Sequence, residues 1–250
     1  WPRCTTARFD RLVLANLELG RQSLGLCPGP AGAIVRGDGG AWRIAAGTPS
    51  LALTGRLSGT PLRVSTGPVG FAMPGTIAAR SVMVELGGPG ALNRFTLANV
   101  VGQTAGGGLT GTFDGTDVDL SAVPLDLREA GGAWRYAGGV LTLSDAQFRL
   151  LDRNEPDRFF PLVARGAGLT LADGRINAAA DLRHPASDRE VVRAIIVHDL
   201  GSATGHADLA VTGLAVTQLL RASHIRPWSD CATDAQRLDV FNGLLLEIGR

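Results

Sequence analysis

The fold is decided by residues 175–183, which read Arg-Ile-Asn-Ala-Ala-Ala-Asp-Leu-Arg. Every second side chain from Ile176 to Leu182 is apolar, whereas most of the intervening positions are charged or carry an amide. A period of two is that of a β-strand, whose successive side chains point to opposite faces of a sheet. We therefore expect a half-buried strand with one face in water and the other against something apolar.

The same alternation recurs in short runs along most of the chain, and glycine, proline or Asp-Gly turns separate the runs. The 250 residues include 34 glycines and 13 prolines, spread along the whole length. This pattern predicts a mainly β protein built of antiparallel hairpins, with few short helices. The residues predicted to share the apolar face are Leu51, Leu53, Val82, Val84, Leu141, Leu143, Leu169, Leu171, Ile176, Leu182, Leu209 and Val211.

One internal repeat is visible, since Gly-Gly-Ala-Trp-Arg occurs at residues 39–43 and again at 131–135. Such a repeat favours a shared structural unit, in which Trp42 and Trp134 would act as packing anchors. We expect residues 1–228 to form one elongated β domain with repeat-like halves of about 1–125 and 126–228.

The last residues, 229–250, carry a different pattern. Thr233 and Gln236 form a capping box, and apolar residues follow at helical spacing at Leu238, Phe241, Leu245 and Ile248. We predict one C-terminal helix here. The alternative is that this helix results from truncation of a longer chain. The start at Trp1, without a signal peptide, agrees with a piece of a longer protein whose membrane anchor lies outside this chain.

Charge and composition exclude several classes of protein. With 24 basic and 23 acidic residues the formal net charge is +1, and the mean hydropathy is +0.14. Neither a disordered tail nor an electrostatically driven nucleic-acid binder has this balance. Residues 1–80 nevertheless hold nine arginines and three carboxylates, which could face anionic headgroups or simply form an ordinary solvated surface.

The three cysteines are Cys4, Cys27 and Cys231, and no C-x-x-C motif or His/Cys cluster accompanies them. A zinc site is therefore not expected. A disulfide between Cys4 and Cys27 would contribute about 3.4 kcal/mol by the chain-entropy relation and would imply an oxidising compartment. Three buried, reduced thiols are the alternative.

No motif of a catalytic or cofactor site is present. The chain has no Gly-rich dinucleotide loop, no lysine for a P-loop and no nucleophile elbow. His198-Asp199 and His206-Ala-Asp208 could in principle hold a metal ion or serve an esterase, but a His-Asp pair holding a turn is favoured. We predict no catalytic residue, no metal site and no cofactor.

A sheet with one apolar face must cover that face, and one helix is too little. Three other ways of covering the apolar face remain, which are a second sheet, closure into a barrel, or a bound ligand. The apolar positions are Leu, Val, Ile and Ala, which suit acyl chains as well as a core. These observations favour a curled sheet that holds an apolar ligand.

Four segments carry a family resemblance. They are Gly138-Gly-Val-Leu-Thr-Leu, Asp157-Arg-Phe-Phe-Pro-Leu162, Leu171-Ala-Asp-Gly-Arg-Ile-Asn-Ala-Ala-Ala-Asp-Leu-Arg-His-Pro185 and Val197-His-Asp-Leu-Gly-Ser-Ala-Thr-Gly-His-Ala-Asp-Leu209. This pattern, over most of residues 130–215, resembles the YdbH-type branch of the AsmA-like proteins. Cys4 and Cys27 flank the first strands as in similar members.

The resemblance implies a periplasmic protein, anchored in the inner membrane, whose elongated antiparallel sheet curls into an open trough called a β-taco. It implies that phospholipids pass between the inner and outer membranes along an apolar groove, without chemistry, and the twelve apolar-face residues would line that groove. The implied partners are phospholipid acyl chains, the inner membrane through the missing anchor, and an outer-membrane or periplasmic protein. The alternative is an assembly scaffold for outer-membrane biogenesis or a β-solenoid interaction module.

Overall fold

The computed structural model of this chain describes residues 3–29, 32–38, 41–121, 123–202, 204–211, 220–224 and 243–247. All regular secondary structure in these ranges is β-strand, so the prediction of a mainly β protein is confirmed and the predicted short helices do not occur there. The strands are β1 Thr5–Phe9, β2 Leu12–Leu14, β3 Leu17–Leu19, β4 Gln22–Pro28, β5 Val35–Asp38, β6 Ala41–Thr48, β7 Leu51–Leu57, β8 Thr60–Thr66, β9 Val69–Met73, β10 Thr76–Leu86, β11 Asn93–Ala105, β12 Gly108–Asp119, β13 Leu125–Ala137, β14 Val140–Asp152, β15 Leu162–Ala172, β16 Arg175–Arg183, β17 Glu190–Asp199, β18 Thr204–Val211, β19 Leu220–His224 and β20 Gly243–Glu247.

Strands β10 to β18 form an antiparallel meander in which each strand pairs with the next along the chain. Two-residue turns of Gly-Gly or Asp-Gly connect β11 to β12, β13 to β14 and β15 to β16, and longer loops connect the other pairs. The other edge of β10 is shared by two strands: β8 pairs with residues 83–86, and β9 pairs with residues 77–79. One branch continues as β8–β7–β3–β2, and the other as β9–β6, with β5 and β4–β1 beyond β6.

The alternation shifts by one residue near the middle of five long strands. At each shift lies a residue with φ between 50° and 72°, a left-handed conformation that β-strands normally avoid. In β14, for example, Leu143 and Ala146 pair with Leu169 and Ala167 of β15, so both point to the same side although they are three positions apart. The residues at the shifts are Ser81, Gly115, Glu129, Asp145 and Gly166.

The sheet curls back on itself. Thr60 Oγ1, at the start of β8, donates a hydrogen bond of 3.0 Å to the carbonyl oxygen of Leu200, which follows β17. In a flat sheet β8 and β17 would lie about 38 Å apart, because eight interstrand spacings of about 4.8 Å separate them. The turn at Ser58 also lies against Gly174, and Ala15 lies against Gly139. Turns between the early strands β2, β3, β7 and β8 therefore meet turns of the β10–β18 meander.

The most deeply buried cluster lies on β15 and β16. Leu162, Ala164, Ala167 and Leu182 are between 2% and 7% exposed, and Phe148 and Leu150 of β14 pack beside them. This cluster is small for a chain of this size, and no residue in the ranges described above, taken with its backbone, is less than 2% exposed. Burial of apolar surface is therefore spread thinly over the sheet rather than concentrated in a closed core.

The predicted C-terminal helix is wrong where it can be compared. Residues Gly243–Glu247 form β20 and pair with β19, because their Gly-Leu-Leu-Leu-Glu sequence suits a strand once a partner is available. The rest of the predicted segment, 229–242 and 248–250, lies outside the described residues. The capping box and spacing are local signals, and strand pairing outweighs them at 243–247.

The two copies of the Gly-Gly-Ala-Trp-Arg repeat occupy strands with different partners. β13 and β14 form a hairpin, whereas β6 pairs with β4, β5 and β9, and β7 pairs with β3 and β8. Trp42 is 72% exposed, whereas Trp134 is half-buried. Of these two tryptophans, Trp134 is the more deeply buried.

Candidate functional site

Apolar side chains form a continuous ladder across eight neighbouring strands, β7, β8 and β10 to β15. Each member is paired directly with the next through the backbone register, so all of them lie on one face of the sheet. We call this the first ladder, and it consists of Leu53, Val64, Val84, Phe95, Val118, Leu127, Leu150 and Leu162. At about 4.8 Å per interstrand spacing, it extends over about 34 Å.

Three further ladders continue this face through β16 towards β18. β16 alternates without interruption from Ile176 to Leu182, so ladders that cross it at Ile176, Ala178 and Leu182 share one face. The first of the three contains Leu141, Leu171, Ile176 and His198, the second contains Trp134, Leu143, Leu169, Ala178 and Ile196, and the third contains Phe148, Ala164, Leu182, Val192 and Val211.

All twelve residues predicted from the sequence to share an apolar face lie on this side of the sheet. Nine of them stand in the ladders, and the other three join through pairs of Leu51 with Thr66, Val82 with Leu97 and Leu209 with Ala194. We call this side the apolar face. The predicted set left out Phe95, Val118, Leu127, Leu150 and Leu162, although Phe95, Val118 and Leu127 each stand two positions from another apolar residue.

The apolar face is not sealed under a second layer. Of the twelve residues, only Leu182 is buried, ten are half-buried and Leu209 is 47% exposed. In a packed β-sandwich, inward side chains of this size would be almost fully covered. The half-buried state instead fits the concave side of a curled single sheet, where neighbours cover the flanks of each side chain and its tip stays open.

The opposite face, which we call the polar face, carries charge pairs. Arg94 bonds to Glu85 at 3.1 Å and Arg193 bonds to Asp181 at 2.8 Å, each between directly opposed residues of neighbouring strands. The Asp181 hydrogen bond raises the pKa of Arg193 further. Charge is thus kept on the side that meets water, and the four ladders contain no Asp, Glu or Arg.

Trp134, which begins the second of the three further ladders, packs across two neighbouring strands on the apolar face. Its register partner is Gly111, which is paired in turn with Gly102, and the indole lies where a Cβ on Gly102 would be only 2.5 Å away. Its Nε1 donates hydrogen bonds to the carbonyl oxygens of Val101 and Thr112, at 3.1 and 3.3 Å. The two glycines leave room for the ring, so this position depends on three strands at once.

The loop between β14 and β15 is held by a covered ion pair. Both carboxylate oxygens of Asp152 accept hydrogen bonds of 2.7 Å from the Arg158 guanidinium, and the Asp152 side chain is fully buried. The Arg158 hydrogen bonds hold the pKa of Asp152 well below its usual range, although burial opposes this, and the backbone N–H groups of Asn154 and Arg158 add to the effect. The pair thereby holds the turn that follows β14.

The histidines considered as metal ligands do not converge. His198 pairs with Ile176 on the apolar face, whereas His206 pairs with Val197 and lies on the polar face. Asp199 accepts hydrogen bonds from the backbone and the hydroxyl of Ser202, which lower its pKa and hold the turn after β17. In the ranges covered by the structure, no group of three His, Cys, Asp or Glu side chains is placed to bind a metal ion.

The predicted disulfide between Cys4 and Cys27 is present and links the start of β1 to the end of β4. Beside it is an open depression of about 440 Å³ lined by small residues such as Gly47, Gly70 and Ala78. None of the twelve predicted residues lines it, although Ala46 and Phe71 do. Among the described residues, no helix has the length and apolar character needed to cross a membrane.

Comparison with known proteins supplies the family. Residues 1–225 match the family model described as YdbH-like, intermembrane phospholipid transport protein YdbH. No curated protein and no solved structure gives a significant match. The match covers nine-tenths of the chain and runs through every strand of the large sheet. The chain therefore belongs to the YdbH-like family of intermembrane phospholipid transport proteins.

Proposed function

We propose that this chain is a periplasmic segment of a lipid-transfer bridge, in which phospholipid acyl chains lie against the apolar face and move along it. The observation that carries this proposal is the run of four apolar ladders on one face of a single curled sheet, where most of the side chains are only half-buried. Family membership gives phospholipid as the ligand, and the open face is a surface that acyl chains would cover.

A continuous apolar surface lowers the free-energy cost of moving acyl chains between membranes without any chemical step. Moving two acyl chains of about 16 carbons through water would expose them at a cost of about 25 kcal/mol, at about 0.8 kcal/mol per CH₂. Contact with a continuous row of Leu, Val and Phe offsets much of this cost at every point along the path. Because each contact resembles the next, no single position would trap the lipid, and no covalent step is needed.

The headgroup would stay at the open side of the trough. The four ladders contain no arginine and no carboxylate, and His198 is the one titratable side chain in them, so they offer a phosphate little charge complementarity. We therefore propose that the groove selects for acyl chains and discriminates weakly between headgroups. The Cys4–Cys27 disulfide supports placing the protein in an oxidising compartment such as the periplasm.

Site-specific photo-crosslinking in cells tests this directly. Ala178 is half-buried on the apolar face, and its neighbour Ala179 is exposed on the polar face, so the two positions form a matched pair. We expect a benzophenone side chain at position 178 to give a phospholipid adduct, detected by mass spectrometry, and the same group at position 179 to give far less. Equal adducts at both positions, or none at 178, would overturn the proposal.

A further inference from the structure

The hairpin of β5 and β6 exposes a large apolar surface near its tip. Trp42 is 72% exposed, Ile44 is 40% exposed, and Met73 of β9, paired directly with Ile44, is 42% exposed. The indole ring of Trp42 lies beside Gly37, its register partner, where a Cβ would meet three of the ring carbons at 3.5 to 3.7 Å. These three side chains share one side of the hairpin and form a single exposed patch.

Two arginines stand directly opposite each other on the other side of the same hairpin. Arg36 pairs with Arg43 in the register, one residue further from the tip than Trp42. Neither forms an ion pair with a carboxylate in the described ranges, and Asp38 is the one acidic residue in the sequences of the two strands. Like charges directly across a strand pair repel each other, and an anion bound between them removes that repulsion.

We propose that the β5–β6 hairpin docks, at the end that carries Trp42, on the surface of an anionic phospholipid bilayer. Tryptophan prefers the boundary between headgroups and acyl chains, and arginine one position behind it would reach the phosphate groups. Residues 1–80 carry nine arginines against three carboxylates, and this net positive charge complements an anionic membrane surface. The proposal goes beyond the groove function, since docking on a bilayer requires no lipid inside the trough.

The exposed patch of Trp42, Ile44 and Met73 lies next to the apolar face, so docking would bring the bilayer close to the proposed lipid path. Ile44 and Ala46 are on the same side of β6, and Ala46 pairs with Phe71, which pairs with Ile77 of β10. This is the start of the apolar face, so the patch is continuous with it. A bilayer held at the hairpin tip would lie next to the beginning of the apolar path.

Vesicle co-sedimentation of the purified chain tests the proposal. We expect stronger binding to vesicles of phosphatidylcholine and phosphatidylglycerol (3:1) than to pure phosphatidylcholine. Changing Arg36→Gln and Arg43→Gln together should weaken binding to the anionic vesicles about 25-fold, at about fivefold per arginine. Trp42→Ala should weaken binding to them about tenfold.

Arg63→Gln with Arg80→Gln is the matched control, because both arginines are exposed on the polar face and the change in net charge is the same. This control should weaken binding less than about twofold. Equal losses in the two double variants would mean diffuse charge attraction and would overturn the proposal, as would equal binding of the unchanged chain to both vesicle types. Photo-crosslinking at Ala178 reports on the groove alone, so failure of docking and failure of the groove function are distinguishable.

Discussion

Replacing four inward leucines with asparagine should empty the groove without unfolding the sheet. Leu141 pairs with Leu171, and Leu143 pairs with Leu169, so the four side chains form one patch on β14 and β15. All four are half-buried, and none belongs to the buried cluster around Leu182. The patch is therefore suited to separating cargo binding from stability.

The expected loss follows from the half-buried state. Full burial of a leucine side chain is worth about 1.5 to 3 kcal/mol, so the half still open would gain about 1 kcal/mol when an acyl chain covers it. Four such positions amount to about 4 kcal/mol, or about a thousandfold in affinity. An asparagine amide facing the acyl chain without a hydrogen-bond partner increases the loss.

The assay is mass spectrometry of organic extracts from the purified chain and its variant, with lipid expressed per mole of protein. Circular dichroism shows whether the β-sheet is retained. The matched control replaces exposed apolar residues of the polar face, Met83, Val101 and Ile195, with asparagine. A folded quadruple variant that keeps its phospholipid would refute the reasoning, and so would a control that loses as much lipid.

Three further predictions concern stability. Gly111→Ala should lower the free energy of unfolding by about 2 kcal/mol, because the new Cβ would collide with a backbone carbonyl oxygen of β11, and an unchanged melting temperature would contradict this. Asp152→Asn should lower the free energy of unfolding by about 2 kcal/mol at pH 7, since hydrogen bonds from Arg158 depress the pKa of this carboxyl. The stabilisation by the carboxylate is complete above the unfolded-state pKa near 4 and decreases as the pH falls towards the folded-state pKa. Melting curves of the two proteins should therefore converge below about pH 4. Reduction of Cys4–Cys27 should lower stability by about 3 kcal/mol in urea titrations with and without dithiothreitol, and coincident titrations would show that the crosslink contributes nothing.

The alternation of apolar residues was sufficient to predict the strands and the shared face. Leu141 and Leu143 lie on the same side as Leu182 in the structure, although the chain reverses twice between them. The assignment of side chains to one face carries over from each strand of a hairpin to the next, because register partners point to the same side. For this reason the sequence was informative about which side chains lie together even where pairing was unknown.

Other features depend on contacts that no local pattern records. The division of β10 between β8 and β9 requires a break at Gly67 and Pro68, and those residues are typical of any turn. The exposure of Trp42 and the burial of Trp134 follow from their partners, since only Trp134 faces two glycines across two neighbouring strands. Identical pentapeptides therefore end in different surroundings.

The shift of alternation in the middle of the long strands limits how this protein can change in length. Deleting Asp145 alone would reverse the second half of β14, turning Gln147 and Arg149 towards the apolar face and Phe148 towards water. Because the neighbouring strands contain the same extra residue, a compatible deletion would have to occur in all of them together. Adding or removing a whole hairpin at the edge leaves the pairing of every remaining strand unchanged, so the sheet can gain or lose strands far more easily than its strands can gain or lose residues.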